Sequence, residues 1–191
     1  MALICLALSA IQPYDFNTWL LEVFPVLIGI PLLVFTYDRF RLTGLLYTLL
    51  FIHALILMVG GHYSYARVPV GYWFEHTFHF SRNHYDRLGH LAQGFVPAIL
   101  AREILLRKTP LKNGGWLFLL VVCVCLAFSA FYELIEWWTS VVEGSQANDF
   151  LGTQGDVWDT QWDMFFALIG ANLSLITMSK WHDRQLSVLS I

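Results

Sequence analysis

The chain has 191 residues, 57% of them hydrophobic and 13% charged, with a formal net charge of −3. The mean hydropathy is +0.58, and the apolar residues fall in long runs without the 3.6- or 2-residue alternation of a soluble domain. Those runs define a polytopic membrane protein, all-α, folded as a single integral membrane domain over 1–191. A pI near 6.1 with no basic patch excludes a nucleic-acid partner, and the partner implied by composition is the lipid bilayer.

In chain order, 1–11 is apolar but too short for an ordinary span, which takes about twenty residues. A cleaved signal ending at Ala10 is one reading of it, and a partial or tilted first helix, completed by a start codon further upstream, is the preferred one. Segments are predicted over 19–37, with Pro25 and Pro31 as kinks, and over 42–60, carrying His53 as a packing residue. A long aromatic loop follows over 61–87. That region and the residue just past it hold His62, His76, His79, His84 and His90. Further segments are predicted over 88–106, 116–138 and 157–178, with a polar tail from 179. The expectation is therefore a bundle of about six transmembrane segments, the first one short. Cys5, Cys123 and Cys125 all lie in apolar runs without metal-type spacing and read as buried small hydrophobes.

Basic residues set the orientation. Arg39, Arg41, Arg102, Arg107, Lys108, Lys112, Lys180 and Arg184 mark one side as cytoplasmic, together with both termini. Arg67, Arg82 and Arg87 fall on the other side, so the 61–87 and 139–156 loops are expected to face the periplasm of an inner membrane.

Chemistry concentrates between Ser129 and Asp163. Helical spacing of three, four or seven places Ser129, Glu133, Glu136 and Ser140 on one stripe of one segment. Asp156, Asp159 and Asp163 form a second stripe, and Asp86 with His90 begins a third. Carboxylates inside apolar segments are costly and suggest function. Such a cluster either carries protons or holds a cation. Carboxylates alone suit Mg²⁺, Ca²⁺ or Mn²⁺, whereas a histidine ligand (His90, His84 or His62) shifts the preference toward Zn²⁺, Mn²⁺ or Fe²⁺.

The candidate metal ligands are Asp86, His90, Glu133, Glu136, Asp159 and Asp163, and the candidate catalytic residues are Glu133, Glu136 and Asp163. The cation would be Zn, Mn or Mg. Structural alternatives exist: Asp156 and Asp159 as helix caps, and Glu133, Glu136 and Asp163 as members of buried ion pairs with Arg82 or Arg87. Glu143 and Asp149 read as solvated loop residues. Gly152-Thr-Gln-Gly155 is too short for a phosphate loop and reads as a turn.

Three stretches carry a resemblance: His84-Tyr-Asp-Arg-Leu-Gly-His90 with Gln93-Gly94, Phe131-Tyr-Glu-Leu-Ile-Glu136, and Gly152-Thr-Gln-Gly-Asp-Val-Trp-Asp-Thr-Gln-Trp-Asp163. Through them the chain, from about 19 to 181, resembles the YjdF-like family of bacterial inner-membrane proteins. The resemblance implies location and topology and brings no activity with it. A looser similarity, through the glutamate-bearing helix and the aspartate-led helix ending in Gly-Ala-Asn172, links it to VanZ-like membrane proteins.

The functional expectation is a metal-dependent hydrolase or transferase acting at the outer face on a lipid or lipid-linked envelope substrate. The alternatives are a proton- or cation-coupled transporter and a non-catalytic membrane factor.

Overall fold

The computed structural model describes residues 1–143 and 153–189, with the side chain of Glu143 excepted. The reading of Asp149 as loop, that of the Glu143 side chain and the Gly152 end of the turn lie outside the described residues. Among them are seven α-helices and no strand: α1 (Ala2–Ser9), α2 (Phe16–Thr36), α3 (Gly44–Tyr63), α4 (Pro69–Phe78), α5 (Tyr85–Lys108), α6 (Gly115–Glu143) and α7 (Asp159–Val188). A single 3₁₀ turn, Tyr65–Arg67, precedes α4.

Four helices, α2, α3, α6 and α7, are long and apolar enough to cross a membrane. The expected count of six is not reached on that measure. At eight residues α1 is about 12 Å long, far short of the hydrocarbon thickness. The 24 residues of α5 suffice in length, but its ends carry Asp86, Arg87, Arg102, Glu103, Arg107 and Lys108. Two predicted irregular regions are partly helical. The 61–87 loop contains α4, started by Pro69 at its first turn. The expected tail from 179 continues α7 to Val188, because His182 is fully buried and holds the helix against its neighbours.

The helix ends follow local chemistry. Asp15 caps α2 by accepting from the Thr18 amide at 2.7 Å, and Thr43 caps α3 by accepting from the Leu46 amide at 3.4 Å. Pro25 and Pro31 lie inside α2 as expected. Cys125 is buried, but Cys123 is exposed on α6, which corrects its assignment to the interior.

Helices α5 and α7 form the spine, and α3 and α6 flank it. Their approach depends on two glycines. A Cβ on Gly94 would lie 1.8 Å from the Ala167 carbonyl oxygen, and one on Gly170 would lie 2.0 Å from that of Leu91. The backbones therefore touch, in the manner of small-residue packing between membrane helices. Ala98, Ala171 and Leu175 continue that seam and meet Leu117, Val121 and Cys125 of α6. Helix α2 packs along α3, with Trp19, Val23, Val26 and Met58 at the contact and Cys5 and Leu6 of α1 beside it.

Both ends of the spine are polar. At the end where α5 finishes, Glu103 is fully buried and accepts from the Thr43 amide (3.1 Å), the Thr43 hydroxyl (2.8 Å), Arg107 (2.7 Å) and His182 Nε2 (2.9 Å). Arg102 binds His182 Nδ1 (2.8 Å), Asn113 (2.6 Å) and Asp183 (2.6 Å). Both oxygens of Glu103 and both nitrogens of His182 are thus engaged. This cluster clamps α3, α5, α7 and the start of α6.

Candidate functional site

At the opposite end, the first turns of α5 and α7 and the last third of α6 converge. The spacing of four between Asp86 and His90 puts both on the face of α5 that the glycine seam turns toward α7. His90 stands at the centre. Its Nε2 is 3.6 Å from Asp86 Oδ1 and 4.0 Å from Asp163 Oδ1. Its Nδ1 is 2.8 Å from Gln93 Oε1 and 3.9 Å from Glu133 Oε1. Two groups of three could each hold a metal ion: Asp86, His90 and Asp163, and His90, Glu133 and Glu136. Within each group the potential ligand atoms lie within 4.8 Å of one another.

Burial is deep. Asp86, His90, Glu133 and Asp163 are buried, Asp163 to 2% exposure, while Glu136 is half-buried. Glu133 Oε1 and Asp163 Oδ1 have no hydrogen-bond partner, and neither does Ser129 Oγ one turn below Glu133. A buried polar atom left unmatched costs about 1–3 kcal/mol, more when charged, so two such oxygens facing one imidazole point to a ligand. The Gln93 amide oxygen can only accept, which places a proton on Nδ1 and leaves Nε2 as the nitrogen available to a cation. That arrangement is the usual outer support of a ligating histidine.

The arginines serve the carboxylates at the mouth. Arg82 binds Asp159 directly, lies 3.5 Å from Asp156 and 4.0 Å from Asp86, and donates to the Thr153 carbonyl at 3.0 Å. Arg87 binds Asp156 at 2.7 Å and lies over the Trp162 ring at 5.2 Å. The Trp158 amide, donating to Asp156 at 3.0 Å, and then Arg87 and Arg82, hold the Asp156 carboxyl below the usual carboxylate range. Asp159 is set apart from both groups of three by its arginine.

The stripe on α6 is only partly in the site, since the Ser140 hydroxyl donates to the Trp137 carbonyl of its own helix. Of the five histidines around the aromatic loop, His90 alone belongs to either group of three. His62 binds the Ser9 carbonyl, and His76 and His79 are exposed. Glu22 of α2 is a residue the sequence reading passed over. It is buried, takes a hydrogen bond from Tyr132 at 3.3 Å and another from Tyr65, and Tyr132 in turn lies edge-on to His90 at 6.4 Å. Its signal was present: a lone carboxylate within an apolar run.

Residues 1–184 match the family described as "Predicted membrane protein (DUF2238)". The chain belongs to that family. It is 54% identical over 178 residues to "Inner membrane protein YjdF" of Escherichia coli (strain K12), a match covering 93% of this chain and 85% of that protein. No solved structure matches it. This is the family that the three quoted stretches resemble, and those stretches supply Asp86, His90, Gln93, Glu133, Glu136 and Asp163 to the site.

Proposed function

We propose that this chain is a multi-pass protein of the bacterial inner membrane whose converging carboxylates and His90 bind a divalent cation and carry out hydrolysis or group transfer on a lipid or lipid-linked envelope substrate. One observation carries the reading: two deeply buried carboxylate oxygens, on Glu133 and Asp163, lie 3.9 and 4.0 Å from His90 without a hydrogen bond. The fit of the donor set is to Mn²⁺, Zn²⁺ or Mg²⁺, hard to borderline ions that accept carboxylate with at most one imidazole.

Asp86, His90 and Asp163 would hold it, and a cation there would supply Lewis acidity and a bound water of lowered pKa. Glu136, half-buried, is the carboxylate placed to act as base. With water as the nucleophile, Glu136 would take its proton and return it to the departing oxygen, so that the bond formed at the acyl or phosphoryl centre balances the ester bond broken. Asp159 and Arg82 fix the first turn of α7 and so position Asp163.

Access from the bilayer supports a lipid substrate. Helix α2 packs on α3, and α6 packs on α5 and α7, so the Tyr132–Glu22 bond spans the gap between α2 and α6. Phe24 of α2 and Phe131 and Leu134 of α6 are exposed apolar side chains on these two helices. In this reading α5 also crosses the membrane, its polar ends sheltered by the bundle and α1 reaching only part-way. Arg102, Arg107, Lys108 and Lys180 then mark the cytoplasmic end and the site opens to the periplasm.

A proton-relay transporter is less favoured. Between His90 and Arg102 the sole polar side chain of α5 is Gln93, and between Asp163 and Asn172 α7 has none. The test is turnover in vesicles of bacterial inner-membrane lipid extract. A water-soluble product should be released by the purified chain, stopped by a chelator, restored by Mn²⁺ and absent from Asp163→Asn. Release that is indifferent to chelator and to Asp163→Asn would overturn it.

A further inference from the structure

The two groups of three share His90 but lie on different edges of its ring. Nε2 faces Asp86 and Asp163, at 3.6 and 4.0 Å, while Nδ1 faces Glu133, at 3.9 Å, with Glu136 beyond it. A single ion cannot sit on both edges of one imidazole. Each side nevertheless has its own unpartnered, deeply buried oxygen: Asp163 Oδ1 on the first and Glu133 Oε1 on the second. These two atoms, independent of each other, mark two vacancies in the hydrogen bonding around one ring.

Charge points the same way. Arg82 and Arg87 engage Asp156 and Asp159, which leaves Asp86, Glu133, Glu136, Asp163 and Glu22 around His90, with Arg82 only at 4.0 Å from Asp86. A divalent cation bound by one pair of these carboxylates offsets that pair alone, and a second cation offsets the other pair.

We infer that the site is binuclear, with one divalent cation held by Asp86, Asp163 and His90 Nε2, and a second held by Glu133 and Glu136 on the other side of the ring. The inference rests on the metal-binding reading above and deepens it. The two subsites differ in chemistry. The first offers one nitrogen and two carboxylates and takes Zn²⁺ or Mn²⁺; the second, with Nδ1–H bound to Gln93, offers oxygen alone and takes Mg²⁺ or Mn²⁺. Paired ions are the common device for clamping the entering and leaving oxygens of a displacement, which would narrow the substrate class to phosphoryl or acyl esters.

Mn²⁺ fits both subsites and is the probe. Full-length protein in detergent is stripped with chelator, titrated with Mn²⁺, and read by bound-metal stoichiometry and electron paramagnetic resonance. Two Mn²⁺ per chain, with a spectrum broadened by coupling between the ions, is the expected result. Glu136→Gln and Asp163→Asn should each retain one, with the sharp six-line spectrum of an isolated ion, and the double variant none. The wild-type stoichiometry decides even if a variant does not fold. One Mn²⁺ per chain would overturn the binuclear inference and leave the metal-binding reading standing; none would overturn both.

Discussion

A carboxylate within an apolar segment costs about 2.5 to 3.5 kcal/mol on insertion scales, so each one kept in this chain has something to offset it. For Asp159 that is Arg82, and both side chains are buried. Arg82→Gln strands the carboxylate and should destabilise the fold by about 3 to 5 kcal/mol, with or without chelator, in thermal unfolding. For Asp163 and Glu136 the proposed offset is the cation, and the sign is opposite. Asp163→Asn and Glu136→Gln should each lose part of the Mn²⁺-induced rise in Tm but, in chelator, match or exceed the wild type because one repelling charge is gone. Gln93 hydrogen-bonds the His90 ring, so Gln93→Leu should weaken Mn²⁺ binding about 10- to 100-fold with the fold intact. Asp156 provides the pH dependence. Its folded pKa is depressed, so its contribution is fully present above the unfolded value of about 3.9 and is lost as pH falls through the lower folded value. The Tm difference between wild type and Asp156→Asn should be constant above about pH 5 and shrink below about pH 3.9, as followed in acidic melts.

Among the elements, the α5–α7 pair determines whether a site exists, because its backbone contact brings the first turns of both helices to His90. Gly94→Ala would drive a Cβ to 1.8 Å from the Ala167 carbonyl oxygen. The helices must then separate, with a loss of about 1 to 3 kcal/mol or more in unfolding and a loss of Mn²⁺ affinity at a distance from every ligand. Helical spacing alone reveals the stripes on α6 and α7 and the Asp86–His90 pair, since three- and four-residue periods survive any tertiary arrangement. It does not reveal that Asp159 is taken by Arg82, for that pairing closes a 77-residue separation. Nor does it reveal the ends of α7. Hydropathy stops at about 178, whereas His182 continues the helix through hydrogen bonds to Glu103 and Arg102 on another element.

For the whole molecule, two buried polar clusters cap one apolar spine, and they differ in satisfaction. The Glu103–His182 cluster has its carboxylate and imidazole fully engaged and acts as a clamp. The His90 cluster leaves Glu133 Oε1 and Asp163 Oδ1 without hydrogen bonds. Membrane character and helical class follow from composition, because long apolar runs admit few other folds. The number of crossings does not, because the charges toward the ends of α5 set it apart from the four helices apolar enough to cross. Orientation is open to labelling of single cysteines in a background without the native three: Lys108→Cys should be blocked from outside and His79→Cys labelled. Whether a cation binds directly to His90 can be read from pulsed electron paramagnetic resonance of the Mn²⁺-loaded chain. A ligating imidazole should give ¹⁴N modulation that disappears in His90→Gln; bound Mn²⁺ with no nitrogen coupling, or coupling that survives the substitution, would rule that bond out.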